Sequence, residues 1–251
     1  MRPATQRGFG PPADTPLAGF QKFELGRRVV YLRLDLAARA PAIVASLSTL
    51  GSAAGAGNRC GGFALKLEDG TELFARINRR GGLIRLILKD LYMGISARPV
   101  RELAVAAEAR RRGIPVAEPI GAMIEWVAPI VYRGRFLTRA LAGMTLWEFL
   151  RTDDDAFVRA HVTEQARRAL DTMHRRGLFH ADLNLHNLFV TKARESFAVA
   201  ILDLDKAQLF QGPVPARMRT RNFARLRQSV RKLDPDGRYL DSHALELLTR
   251  G

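Results

Sequence analysis

The sequence predicts an α+β protein of two lobes, a β-rich N-terminal lobe followed by a reduced, mainly helical C-terminal one. Three observations predict it. Apolar residues alternate with period two through much of residues 63–140, they recur with helical spacing after Gly143, and the two regimes meet near residue 142. The expected organisation is a flexible leader over 1–20, a β-rich lobe over 21–142 and a helical lobe over 143–251. With 251 residues, 47% of them hydrophobic, the chain can bury one large core or two smaller ones.

The leader is rich in Pro and Gly and has no apolar run of signal-peptide type. Residues 48–62, STLGSAAGAGNRCGG, form a patch of small residues between two segments of strand character. Beyond it, FALKLEDGTELFARI alternates Phe63, Leu65, Leu67 and Leu73, Ala75, Ile77 about a turn at Asp69-Gly70, which is a hairpin. Residues 97–112 read as a helix, with Pro99 in its first turn, basic residues in its last and Gly113 as its stop. IPVAEPIGAMIEWV and IVYRGRFLTRAL read as a strand pair.

In the C-terminal part, Val162, Ala166, Ala169, Leu170 and Met173 keep helical spacing up to Gly177. Asp153-Asp154-Asp155 reads as a solvated loop that caps this helix. LFH and LFV then flank the loop ADLNLHN, and AVAILDLD is an apolar strand ending in carboxylates. RTRNFARLRQSVRKL places Phe223, Leu226, Val230 and Leu233 on one helical face and arginines on the other.

The most specific signal is the HxDxxxxN pattern of His180, Asp182 and Asn187, followed by the strand ending at Asp203. Phosphoryl transfer needs a carboxylate at the acceptor hydroxyl and oxygen ligands that hold Mg²⁺ against nucleotide phosphates. In this spacing Asp182 can face an acceptor while Asn187 turns toward a metal shared with Asp203. His180 reads as a residue that orients the loop. The alternative is that Asp182 and Asn187 only satisfy turn backbone groups and that Asp203 and Asp205 only end a strand.

These motifs resemble the catalytic and metal-binding loops of the protein-kinase-like superfamily. HADLNLHNLFV, ILDLDKA, NFARLRQSVRKL and the RRGG of ARINRRGGLIRLILKDLY more closely resemble the bacterial lipopolysaccharide kinases, above all those acting on 3-deoxy-manno-octulosonic acid (Kdo). The resemblance implies a two-lobed kinase-like fold using ATP and Mg²⁺, with Asp182 as catalytic base, Asn187 and Asp203 as Mg²⁺ ligands and Asp205 as an accessory ligand. It also implies the acceptor, a Kdo hydroxyl on the lipid A inner core. In such a fold a strand cation pairs with a helix carboxylate and holds the nucleotide phosphates. Arg76 and Glu102 stand in those places, and Lys66 on the neighbouring strand is the competing cation. No GxGxxG is intact, but amides at Gly61 and Gly62 can approach phosphates.

Ala181 stands where regulated protein kinases carry Arg, and no APE-like segment occurs among the 48 residues after Asp203. A small or glycolipid acceptor therefore fits better than a peptide. An aminoglycoside-type small-molecule kinase or a Rio-type protein kinase is the alternative on the same scaffold. The net charge of +15 suits an anionic partner. No helix-turn-helix, zinc or RNA-binding signature accompanies it, so no nucleic acid is expected. With one cysteine, Cys60, and no transmembrane-length apolar run, the expected location is cytoplasmic, peripheral to the cytoplasmic face of the inner membrane. The basic stretches NRRGGLIRLILKDLY and RTRNFARLRQSVRKL are the expected contacts with an anionic membrane surface.

Overall fold

The computed structural model describes residues 17–53, 62–77, 92–93, 97–129, 131–193 and 196–250. Gly61 and most of the RRGG segment lie outside the described residues. The chain divides into two compact units, residues 17–107 with Glu118–Ala140, and Glu108–Ala117 with residues 141–250.

Among the described residues of the first unit, seven antiparallel strands form one sheet in the order β1 (Phe20–Leu25), β2 (Arg28–Arg33), β6 (Pro119–Ala128), β7 (Val131–Arg139), β4 (Glu72–Ile77), β3 (Gly62–Lys66). The short β5 (Tyr92–Met93) also pairs with β7. The expected hairpin is β3–β4, closed at Gly70, whose φ of 80° suits a residue without a side chain. Helix α1 (Ala40–Ala53) covers the sheet's inner face, and its buried Ile43, Val44 and Leu47 join Leu32, Leu65, Leu73 and Met123 in the core. The small-residue patch is therefore not wholly a link between strands, because its first residues end this helix. Ala, Leu and Ser sustain a helix there, with the Ser48 and Thr49 hydroxyls donating to the carbonyls of Val44 and Ala45.

Helix α2 (Arg98–Arg111) begins in the first unit, and its last turn belongs to the second. This departs from a single boundary at 142/143. The reason is backbone pairing, since Val116 bridges to Ile201 and the Ile201 amide donates to the Pro115 carbonyl at 2.7 Å.

In the second unit, β8 (Gly143–Thr145) leads into α3 (Leu146–Thr152), whose first turn is closed by a reciprocal bond pair between Thr145 and Glu148. Asp155 caps α4 (Ala156–Arg175), accepting from the amides of Phe157 and Val158. Gly113 and Gly177 end α2 and α4 with φ of 69° and 87°. A Cβ at Gly177 would lie 2.6 Å from the carbonyl oxygens of Phe210 and Gly212. Beside these glycines Arg112 donates to the Arg176 carbonyl and Arg176 to the Arg112 carbonyl, so each helix end caps the other.

The next four strands frame the motif loops. β9 (Leu178–Phe179) pairs with β12 (Gln208–Leu209), and β10 (Leu188–Ala193) pairs with β11 (Ser196–Ile201). The loop from β9 to β10 carries Asp182 and Asn187, and the loop from β11 to β12 carries Asp203 and Asp205. Two antiparallel pairings at the ends of both loops force them side by side. Helix α5 (Ala216–Leu233) buries Asn222, Phe223, Leu226 and Val230, and α6 (Ser242–Leu248) follows it. Among the described residues no helix is long and apolar enough to cross a membrane.

Candidate active site

Backbone bonds lock the two loops together. The Leu202 amide donates to the Asn187 carbonyl at 2.9 Å. The His180 ring bridges the same gap, with Nε2 2.8 Å from the Leu202 carbonyl and Nδ1 3.2 Å from the Asp182 amide nitrogen. These partners assign the tautomer, Nε2 donating and Nδ1 accepting. His180 is 1% exposed. Burial holds its imidazole below the usual range, against the opposing pull of the Leu202 carbonyl and of the Asp203 and Asp182 carboxylates, so the ring is neutral. Its role as the orienting residue of the loop follows from these two bonds.

The two asparagines of the loop differ in a way that matters. Both side-chain amides donate to the Asp182 carbonyl, Asn184 at 2.9 Å and Asn187 at 2.8 Å. Asn184 also spends its oxygen, which accepts from the His186 amide. The bond made by Asn187 fixes its amide and leaves its oxygen outside that bond, as a metal ligand requires. Leu183, Leu185 and Leu188 are wholly buried and anchor the loop from below.

Asp203 has a φ of 59°, alone among the described non-glycine residues in being left-handed. Such a conformation costs roughly 1–2 kcal/mol, and aspartate is among the residues that tolerate it. The turn bends the chain sharply where β11 ends, and the Leu202 bonds on its N-terminal side hold it in register with Asn187. Backbone strain of this kind is found where a side chain must be aimed.

Helix α5 supplies two residues that the motif analysis missed. Asn222, 1% exposed, donates from Nδ2 to the His180 carbonyl at 2.5 Å and accepts at Oδ1 from the His180 amide at 3.4 Å. The same oxygen takes His174 Nε2 at 3.0 Å. His174 is buried edge-on to Phe223, and burial lowers its imidazole too. Asn222 was detectable, because a polar residue four before Leu226 sits on the apolar face of the helix. Arg225 reaches Asp182, its Nε 2.8 Å from Oδ1 and its Nη2 closing on the same oxygen. On sequence it is one of the arginines expected at an anionic membrane surface, and nothing there points it to Asp182.

In the first unit Arg76, on β4, donates to both carboxylate oxygens of Glu102, whose side chain is fully buried on α2. Lys66 lies on the edge strand β3, opposite Glu72 with 3.8 Å between charges, and is largely exposed. It shares a sheet face with Arg76 but stands four residues along from Gly62, the cross-strand partner of Arg76, about 13 Å away. Gly62 is buried in β3, where a Cβ would meet the Phe74 ring at 2.5 Å. Gly61 lies outside the described residues.

Oxygen donors alone, two carboxylates and one amide from Asp203, Asp205 and Asn187, suit a hard cation such as Mg²⁺. Among the described residues no group of three or more His, Cys, Asp or Glu is arranged to hold a metal. The donor set fits an ion that takes its remaining ligands from phosphate and water.

The mixed helix and sheet fold is shared with a solved structure. The structure of WaaP in complex with acyl carrier protein superposes with a TM-score of 0.50 over 78% of each chain, at 19% identity. Curated 3-deoxy-D-manno-octulosonic acid kinases are more similar in sequence. That of Xylella fastidiosa (strain M12) is 34% identical over 160 residues, covering 62% of this chain and 60% of the relative. That of Xanthomonas campestris pv. campestris (strain B100) is 31% identical over 159 residues with the same coverage. The match thus spans about 60% of the length of these relatives. The profile of the lipopolysaccharide kinase (Kdo/WaaP) family matches residues 51–244. The chain belongs to that family.

Proposed function

We propose that the protein is an ATP-dependent kinase that transfers the γ-phosphate to a sugar hydroxyl of the lipopolysaccharide inner core, with Kdo on lipid A as acceptor. The observation that carries this reading is the locked pair of loops, which presents a half-exposed Asp182 carboxylate on a rigid support beside Asn187 and Asp203. Membership of the Kdo/WaaP family supports the acceptor.

In this reading the two units are the lobes of a kinase-like fold, the first binding nucleotide and the second carrying the chemistry. Asp182 accepts the proton of the acceptor hydroxyl as its oxygen attacks the γ-phosphorus and the bond to the β-phosphate oxygen breaks. Asn187 and Asp203 would hold Mg²⁺, with Asp205 as accessory ligand, and the ion when bound would supply positive charge against the phosphates. Arg76 is oriented by Glu102 and offers its guanidinium to the phosphates, a better-placed cation than the edge-strand Lys66.

The enzyme is placed at an anionic membrane surface, where its acceptor is anchored. Of the arginines expected to contact lipid on α5, two have other partners, since Arg225 pairs with Asp182 and Arg227 donates to the hydroxyl and carbonyl of Thr249. The surface contact is therefore assigned to the other basic side chains of α5, Arg221 and Arg231 among them.

The deciding assay incubates the protein with labelled ATP, Mg²⁺ and a panel of Kdo-lipid A, heptosylated lipid A, an aminoglycoside and a peptide. Phosphate on Kdo-lipid A, lost by a hundredfold or more in Asp182→Asn on the order expected for a general base, supports the reading. Label on the peptide or aminoglycoside alone overturns it.

A further inference from the structure

Arg225 is the one α5 arginine whose described partner is the group proposed to do the chemistry. Nε and Nη2 both end on Oδ1 of Asp182, so the second carboxylate oxygen, Oδ2, takes no part in the pair. Nη1 is likewise unused in it. A guanidinium carries five donors in a planar fork, and this contact employs two. Both side chains are half exposed, at 50% and 45%. An ion pair so open to water adds little to stability, and it spans 43 residues to reach a loop already locked by His180 and Asn187. Folding does not account for it.

The chemistry of the acceptor does. An octulosonic acid carries a carboxylate beside its hydroxyls. To be phosphorylated it must bring that negative charge toward Asp182, which is itself a carboxylate. Two like charges at this range repel, so a site that accepts an acidic sugar needs a cation within reach of both. The geometry points to Arg225 as the acceptor-binding residue. One edge of its fork stays on Oδ1 of Asp182, and the remaining donors take the acceptor carboxylate, which places a sugar hydroxyl on Oδ2. Arginine suits this task because its planar fork can serve two carboxylates at once, whereas an ammonium is a point charge. This assignment rests on the functional reading above and adds the acidic group that the site recognises.

The test compares a Kdo-terminated oligosaccharide with its methyl ester, which keeps every hydroxyl and loses the charge. Wild-type protein should prefer the acid by about tenfold to a hundredfold in kcat/KM, the range of one charge-assisted contact. In Arg225→Gln, checked to melt as wild type does, the preference should fall to within about threefold of unity while KM for ATP is unchanged. Arg225→Lys should recover part of it. If Arg225→Gln does not turn over, the same acid-to-ester ratio is read from acceptor titration with Mg-ADP present. A variant that keeps the wild-type preference overturns the assignment. So does one that loses rate equally on acid and ester, which would put Arg225 on the transferring phosphoryl group. Failure of the wild type to phosphorylate the acid at all would sink the functional reading itself, a result distinct from either.

Discussion

Replacing Asn222 by Ala tests whether the buried Asn222 cluster holds the loop that carries Asp182. The substitution removes the donor to the His180 carbonyl at 2.5 Å and the acceptor for His174 Nε2 at 3.0 Å. The bond from the His180 amide, at 3.4 Å, is too long to count fully. Asn222 and His180 are each 1% exposed, so water cannot replace the lost partners. Leaving two buried polar groups unsatisfied costs about 1–3 kcal/mol each, hence roughly 2–6 kcal/mol in total. That is a large share of the 5–15 kcal/mol typical of a whole domain. Urea unfolding followed by Trp147 fluorescence in a Trp126→Phe background measures it, because Trp147 is buried against Tyr239 in the same unit. Asn222→Asp separates bonding from volume, since it keeps the acceptor but sets a carboxylate oxygen against the His180 carbonyl, and it should be destabilised as well. A loss under about 1 kcal/mol for Asn222→Ala would refute the idea that this cluster supports the loop.

Three further outcomes are expected. Asp203→Asn keeps a residue that tolerates the left-handed turn while removing the charge, so calorimetry should find the Mg²⁺ dependence of ATP affinity reduced by about tenfold or more, with Asp205→Asn less affected. Unchanged metal dependence in Asp203→Asn would move the ligand role elsewhere. Arg76→Met together with Glu102→Gln avoids leaving a lone buried carboxylate and should raise KM for ATP about tenfold or more, whereas Lys66→Met should change it by under about threefold. The reverse order would make Lys66 the phosphate cation. Stability should fall as pH drops below about 6.5, because burial holds the imidazoles of His174 and His180 below that ordinary value. The unfolded chain then binds more protons than the native one, so stability is full above about 6.5 and is lost as pH drops toward the folded values. The carboxylates with lowered values, among them Glu108 at about 2, act in the same direction but only below about pH 4.5. A urea midpoint unchanged over the upper window would count against two neutral buried imidazoles.

The sequence by itself determined what depends on local period and turn chemistry. The hairpin closing near Gly70 and the helices stopping at Gly113 and Gly177 follow from alternation, helical spacing and glycines with left-handed backbone. The order of the motif loops followed too, since HxDxxxxN and the ILD strand carry their apolar anchors beside them. Helix α1 was less legible, because Ala, Ser and Gly over residues 45–53 give a weak period that only its packing on the sheet resolves. The pairing of Arg76 with Glu102 could not be read either. Arg76 and Lys66 lie on one sheet face, and only the fold shows that Glu102 comes up beneath Arg76 while Lys66 stays at an edge. Tertiary structure alone brought Asn222 and Arg225 to a loop some forty residues earlier, at |i−j| of 42 and 43. Periodicity tells which face of α5 is buried but not what it is buried against. Partners that distant are chosen by packing of whole elements, and no local signal encodes them.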